Sequence, residues 1–222
     1  DYAIFQELSS NPATIESAGP TVLVRGKGVY VWDADGRRYI DGLASLWNVS
    51  VGHGRTEISR AIAAQSRTIA FAPTLLGFSS EPAEALATRI ARMAPKGLSR
   101  VLFTSGGSES KETVIRLTRL YWHLRQRPKK TKIVALTQAY HGSSTGAASL
   151  TGRSQFHQHY TPLMPGVLRI PRPQCQCDTP GGCTTACGQR CAEPLEALIA
   201  RHGAETIGAF IAEPIQLSLI HI

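Results

Sequence analysis

The chain is poor in methionine, in aromatic residues and in charge: 222 residues hold two methionines, 7% aromatics and 18% charged residues. It has no apolar run approaching the ~20 residues that cross a bilayer, and no signal-peptide pattern. A membrane-spanning helix is therefore not expected, and a cytoplasmic protein is the default expectation. Cysteine is absent from all but one stretch, where Cys175, Cys177, Cys183, Cys187 and Cys191 cluster. That spacing excludes a disulfide framework spread through the fold. Acidic residues are outnumbered, 16 against 24 Lys and Arg, giving a net charge of +8. Such a balance permits nucleic-acid binding, but the arginines are scattered and no recognition motif accompanies them. The one tight basic run, Lys129, Lys130 and Lys132 behind Arg125 and Arg127, sits beside Pro128 and reads as a solvated loop. With 42% hydrophobic residues, the length suits one core, or one and a part.

The chain is organised around 101–121, VLFTSGGSESKETVIRLTRLY. Val101–Thr104 reads as a buried strand and Ser105–Ser108 as a tight turn. Val114, Leu117, Leu120 and Tyr121 follow at helical spacing and predict one apolar face. Strand, glycine turn and helix leave backbone N–H groups unpaired at a positive helix end, which suits a phosphate. The Ser108 hydroxyl adds a donor. Taken alone, this is an ordinary strand-to-helix connection, since serine and glycine are common turn residues.

Earlier in the chain, Ser10, Asn11 and Pro12 mark a turn. Gly28–Trp32 alternates, Asp33–Gly36 signals a turn, and Arg38–Asp41 returns, predicting a β-hairpin. His53 lies between glycines, where metal ligation by a lone histidine is not expected. Helices are predicted over 56–69 and from Ser80 as N-cap to Met93, the second with Ala83, Leu86, Ala87 and Ile90 as its buried stripe. Pro194–His202 predicts a short helix. Lys132–Thr137 and Ile207–Ala212 are continuous apolar runs, as in strands covered on both faces. The expected fold is α/β, a mostly parallel sheet with helices on both faces. Ligands of such sheets gather at the carboxyl ends of the strands. Ser105–Ser108, Tyr140 and Glu213 each follow a predicted strand. If the strands are parallel, a phosphate cup, an aromatic face and a carboxylate share one edge. Singly, Tyr140 reads as core and Glu213 as a solvated strand end.

Four motifs in order carry a resemblance: WDADGRRYIDGLASLWNVSVGHG, TSGGSES with KETVIRLTR, AYHGSS, and ETIGAFIAEPIQ. Together they resemble class III aminotransferases, fold-type I enzymes that use pyridoxal 5′-phosphate (PLP), over about residues 20–216. The resemblance implies an incomplete large PLP-binding domain over 56–216, preceded by part of the small domain over 1–55. Gly107, Ser108, Tyr140, His141 and Glu213 would bind cofactor, with Tyr140 against its ring. Trp47 would line the substrate pocket; from the residues alone a core or interface aromatic is the preferred reading. Leu76 and Phe78, in a loop that reaches a partner's site in the family, are weaker pocket candidates. A homodimer acting on a small amine or ω-amino acid and a keto acid such as pyruvate is implied, with no nucleic-acid or membrane partner.

The family's ring-nitrogen aspartate and Schiff-base lysine fall beyond AEPIQ. Lys111 and Lys132 do not match that lysine, so this chain is expected to be inactive by itself. The last six residues, 217–222, depart from the family and read as a non-native tail, translated from a sequencing-library adapter. Two alternatives stay open: a PLP-dependent decarboxylase or aminomutase of the same fold, and a non-catalytic protein binding metal through the cysteine loop 171–191. That loop lacks paired C-x2-C knuckles, so a surface insertion is the preferred reading.

Overall fold

The computed structural model describes residues 19–74, 76–173 and 185–216. The turn at Ser10–Pro12, Leu75, Cys175, Cys177, Cys183 and the tail 217–222 lie outside the described residues. The chain forms two compact units, divided between Ser99 and Arg100.

The first unit opens with three antiparallel strands in the order β1 (Leu23–Lys27), β2 (Tyr30–Asp33) and β3 (Arg38–Ile40). The predicted hairpin is β2–β3. Asp33 closes its turn: its carboxylate accepts from the Arg37 N–H at 2.8 Å and from the Tyr39 hydroxyl at 2.7 Å. Gly36, at φ +81°, supplies the left-handed position. Strand β1 was not predicted, because Val22–Lys27 has neither alternation nor a turn signal after it. The Arg25 guanidinium lies 3.8 Å over the Trp32 ring, across the β1–β2 pair.

After β3 comes a turn, α1 (Ala44–Trp47), with left-handed backbone at four consecutive residues, none of them glycine. A left-handed helix costs L-residues roughly 1–2 kcal/mol each, so about 4–8 kcal/mol must be offset locally. Helices α2 (Thr56–Thr68) and α3 (Glu81–Met93) match their predicted spans. Ser80 takes the extended N-cap backbone of α3, but its side chain makes no capping bond. Instead the Ser79 hydroxyl donates to Glu84 at 2.6 Å. The predicted stripe on α3 is not buried: Leu86 is 50% exposed and no residue of α2 or α3 is buried. The pattern specifies a face, but nothing within this unit covers it.

The second unit is built on a parallel sheet of order β5-β4-β6, with β4 (Lys132–Leu136) central between β5 (Val167–Ile170) and β6 (Ile207–Ile211). Successive β4 side chains point to opposite faces. Val134 and Leu136 pack with Ile170 under Leu195 and Leu198 of helix α6 (Thr185–His202). Ile133 packs with Ile115 of α4 (Gly107–Leu124) and Leu150 of α5 (Thr145–Leu150). Both faces are thus covered, and β4 reads as a continuous apolar run for that reason.

Four expectations are corrected here. Residues 101–104 are not a strand: among the described residues nothing pairs with them, and Leu102 is 64% exposed. A strand exists only through its ladder, so an apolar run without a neighbour stays extended but unassigned. The buried face of α4 carries Ile115, with Trp122 donating its indole N–H to the Gly208 carbonyl at 2.7 Å. The predicted stripe of Val114, Leu117, Leu120 and Tyr121 is 42–51% exposed. The helix predicted from Pro194 begins at Thr185, nine residues earlier, and carries Pro194 inside it along with Cys187 and Cys191. Lys130 is not solvated. Its ammonium donates to the Ala204 and Ile207 carbonyls at 2.5 and 2.8 Å and lies 4.5 Å over the Trp122 ring.

Candidate cofactor site

The site residues proposed for the second unit collect at the carboxyl ends of β4 and β6, which are neighbours in the sheet. Gly107 and Ser108 open α4. The first helical bond runs from the Ser110 N–H to the Gly106 carbonyl at 3.0 Å. The N–H groups of Gly107, Ser108 and Glu109 precede it, so they are the donors a helix start leaves over. A Cβ built on Gly106 or Gly107 would meet nothing within 4 Å, so the turn faces open space. Glu109 folds back, and its carboxylate accepts from the Ser105 N–H at 2.6 Å.

Although 101–104 joins no ladder, the cup is tied to the sheet edge by the segment after β4. The Ser143 N–H donates to the Ser108 hydroxyl oxygen at 3.1 Å, which leaves the Ser108 O–H to donate elsewhere. Gly142 sits at φ +127°, and a Cβ there would lie 2.4 Å from the Ser108 Oγ and 3.0 Å from its Cα. Only glycine permits both that backbone and that approach. One turn further along α4, Glu112 caps α5 from outside. Its Oε1 accepts from the Ser144 hydroxyl at 2.7 Å and from the Gly146 and Ala147 N–H groups at 2.8 and 3.3 Å. The Ser144 hydroxyl, then these N–H groups, hold the Glu112 carboxyl below its usual range against the opposing effect of burial.

Tyr140 and His141 follow β4. The Tyr140 ring is 40% exposed and rests on Phe156, with centroids 5.2 Å apart. The two rings are tilted by 53° to each other, and Tyr140 keeps a surface open to solvent. The Tyr140 N–H is near enough to the Glu213 carboxyl to favour its charged form. His141 is buried, its N–H donating to the Thr151 hydroxyl oxygen at 2.9 Å. Two buried polar atoms have no partner here, His141 Nε2 and Glu213 Oε2. Such orphans are costly, and at a concave site they mark atoms that await a ligand. Burial, then the nearby Lys111 charge, lowers the His141 pKa to about 4, so its imidazole is neutral near pH 7. Burial raises the Glu213 pKa, and the Tyr140 N–H and Lys111 oppose that rise. Lys111 is therefore close enough to both groups for its charge to count.

The second unit thus brings together Gly107, Ser108, Tyr140, His141 and Glu213. Trp47 belongs to the first unit, where it ends α1 and is 61% exposed. Leu76 and Phe78 are 87% and 65% exposed there. Sequence reasoning missed Glu112, Gly142, Thr151 and Lys111 as parts of the site. The partners of Glu112 lie more than 30 residues away, so no local spacing announces it. Gly142 carried a signal in the pattern Tyr-His-Gly, whose glycine has a conformational reason. Among the described residues no three His, Cys, Asp or Glu are grouped to hold a metal.

A parallel α/β sheet with leftover helix-start donors, an open aromatic and orphaned polar atoms at one edge is an arrangement that suits a flat, phosphorylated molecule. The family is more specific. The profile of class-III aminotransferases matches residues 14–218, and the chain belongs to that family. It is 35% identical over 202 residues to a putrescine–pyruvate aminotransferase of Pseudomonas aeruginosa, covering 91% of this chain and 44% of that protein. At 35% over 202 residues it equally resembles an adenosylmethionine-8-amino-7-oxononanoate aminotransferase of Geobacter sulfurreducens, covering 90% and 44%. The structure superposes on a thermostable (S)-enantioselective omega-transaminase from Thermomicrobium roseum with a TM-score of 0.89 at 42% identity, covering 97% of this chain and 48% of that one. The chain therefore spans a little under half the length of these relatives. Class III aminotransferases use PLP, and their fold is type I, of which this α/β sheet is an incomplete part.

The residues present fit that cofactor. Its phosphate matches the leftover N–H donors and the Ser108 O–H, its ring the open Tyr140 side chain, and its polar ring substituents the orphaned His141 and Glu213 atoms.

Proposed function

We propose that the whole protein transfers an amino group from a small amine or ω-amino acid to a keto acid such as pyruvate, with PLP as its cofactor. The observation that carries this is the convergence of the α4 N-terminus, Tyr140, His141 and Glu213 at one sheet edge. When bound, PLP supplies an electron sink that lets a proton leave the carbon bearing the amine. The N–H groups of Gly107 and Ser108 and the Ser108 O–H would hold its phosphate against the positive helix end. Tyr140 would rest against the ring. His141, kept neutral by burial, would offer Nε2 as a donor or acceptor without adding charge. The unpartnered Glu213 oxygen would fix the orientation of the ring's polar groups. Lys111 would oppose the rise that burial imposes on the Glu213 carboxyl.

In the whole protein, 1–55 would form part of the small domain, and 56–216 part of the large one with 171–191 as an inserted loop. The protein would work in the cytoplasm as a homodimer, and Trp47 would line the substrate pocket. The two relatives at equal identity act, by name, on different amines, so the donor is a question for assay.

The test is a panel of amines with pyruvate, run on the whole protein with PLP. Alanine formation supports the reading, and carbon dioxide release or an isomerised amine in its place would support the decarboxylase or aminomutase alternative. Absorbance titration with PLP reads binding separately, and wild-type affinity in Ser108→Ala would remove the phosphate assignment.

A further inference from the structure

The left-handed turn α1 presents Leu46 and Trp47 to solvent, 63% and 61% exposed. Its four residues have φ of 46°, 49°, 56° and 66°, in a region L-residues avoid. Backbone in such a state persists only where its surroundings over-determine it, and it concentrates at functional sites. The surroundings here are one carboxylate and its lock. Asp41 Oδ1 accepts from the Ser45 N–H at 2.9 Å, and Oδ2 accepts from the Ser45 hydroxyl at 2.8 Å. His53 Nε2 lies 2.9 Å from the same Oδ2. His53 is itself fixed: it bridges Gly28 in both directions, at 3.0 and 2.9 Å, and a Cβ on Gly26 would stand 2.6 Å from its ring. The turn is closed by its own backbone, Trp47 N–H to Leu43 and Val49 N–H to Ala44, both 2.9 Å.

We propose that Asp41, locked by His53, is a positioning residue for Trp47 and through it a determinant of amine size. It rests on the reading that Trp47 lines the substrate pocket. Asp41 touches neither Trp47 nor substrate; it holds the backbone that aims the indole. Its carboxyl is depressed to about 2 by the Ser45 N–H first and by His53 and the Ser45 hydroxyl after it. The clamp therefore stays ionised across the working range of pH. Loss of the clamp lets the turn relax toward right-handed or extended backbone, which swings Trp47 away.

The experiment uses the whole protein labelled with 5-fluorotryptophan and followed by fluorine NMR, with Trp47→Phe assigning the Trp47 line. Asp41→Asn is expected to shift or broaden that line while those of Trp32 and Trp122 stay in place. It is also expected to change the kcat/KM ratio of a bulky arylalkylamine over a small linear amine at least tenfold, mainly through KM. Glycine adopts positive φ without a Cβ clash, so D41N with Ala44→Gly and Leu46→Gly should recover most of both effects. An unmoved Trp47 line in D41N overturns the clamp, and so does a moved line that the glycines leave unrecovered. A ratio unaltered by Trp47→Ala would defeat the pocket reading of Trp47 alone, because the fluorine lines still decide the clamp. Should D41N not fold, Ser45→Ala removes one donor and is expected to move the line less far; no movement overturns the proposal.

Discussion

The two units keep their shape by different means. In the second, Val134, Ala135 and Leu150 are 0% exposed and the sheet is sandwiched between helices. In the first, Val31 is the only buried apolar residue among those described, and two aspartates do the organising. Asp33 ties the β2–β3 turn, and Asp41 ties the left-handed turn. Burial is nondirectional and grows with area, so the second unit holds its shape through many small contacts. Hydrogen bonds are directional and few, so the first unit concentrates its geometry in single side chains. A point change should therefore act in opposite ways in the two halves.

The largest effect is expected where the packed unit also carries strain. Gly142→Ala places a methyl 2.4 Å from Ser108 Oγ at φ +127°. Strain and overpacking cost on the order of 3 kcal/mol or more together. The phosphate cup must move to make room. PLP affinity, read by absorbance titration of the whole protein, should fall at least tenfold; unchanged affinity would show that the cup does not depend on this contact. Next is Glu112→Ala, which strips the cap from α5 and leaves the buried Gly146 and Ala147 N–H groups unserved. Each such group costs about 1–3 kcal/mol, so urea unfolding should show a loss of roughly 2–6 kcal/mol, with Glu112→Gln recovering part of it.

Acid should separate the halves by pH rather than by size. His141 has its folded pKa lowered from 6.5 to about 4. The unfolded chain binds the proton first, so stability is full above about 6.5 and declines as pH falls toward 4. Asp41, lowered from 3.8 to about 2, stabilises above 3.8 and loses that contribution between 3.8 and 2. The second unit should thus weaken first on acidification, followed through Trp122 and Trp32 lines in turn. His141→Gln should flatten the decline between 6.5 and 4; an unaltered decline would place its origin elsewhere.

The legible parts of the sequence were those whose neighbours are implied by their own pattern. KIVAL reads as a doubly covered strand, and it is; IGAFI reads the same way and forms a strand, but Phe210 on it stays 47% exposed. Helix α2 read from its period, and α3 from its period and the Ser80 start signal. What failed needed a partner that the pattern does not name. Residues 101–104 have the composition of a strand and no ladder among the described residues. Helix α4 has two apolar stripes, and sequence alone chose the one that Ile115 and Trp122 do not occupy. The cysteine stretch hid a helix because its small polar residues suggest a loop. Tyr140 and Glu213 were legible as strand-end positions, whereas Gly107 and Ser108 were expected after a strand that does not form, and Glu112 was not legible, since its partners lie more than 30 residues on.

Ala44–Trp47 shows the same limit at its sharpest, and it yields the smallest effect. Positive φ is normally announced by glycine, and none stands among these four residues. The turn is dictated by Asp41 and His53, on either side of it in sequence. Ala44→Gly, made in otherwise unaltered protein, removes about 1–2 kcal/mol of left-handed strain and adds about 0.5–1 kcal/mol of unfolded-state entropy. The net is a stabilisation of up to about 1.5 kcal/mol, read as a raised urea midpoint at unchanged slope. Adding a side chain to a glycine damages the packed unit; removing one from an alanine should strengthen the clamped one. A lowered midpoint would mean that the Ala44 methyl makes a contact worth more than its strain, and that the first unit relies on packing after all.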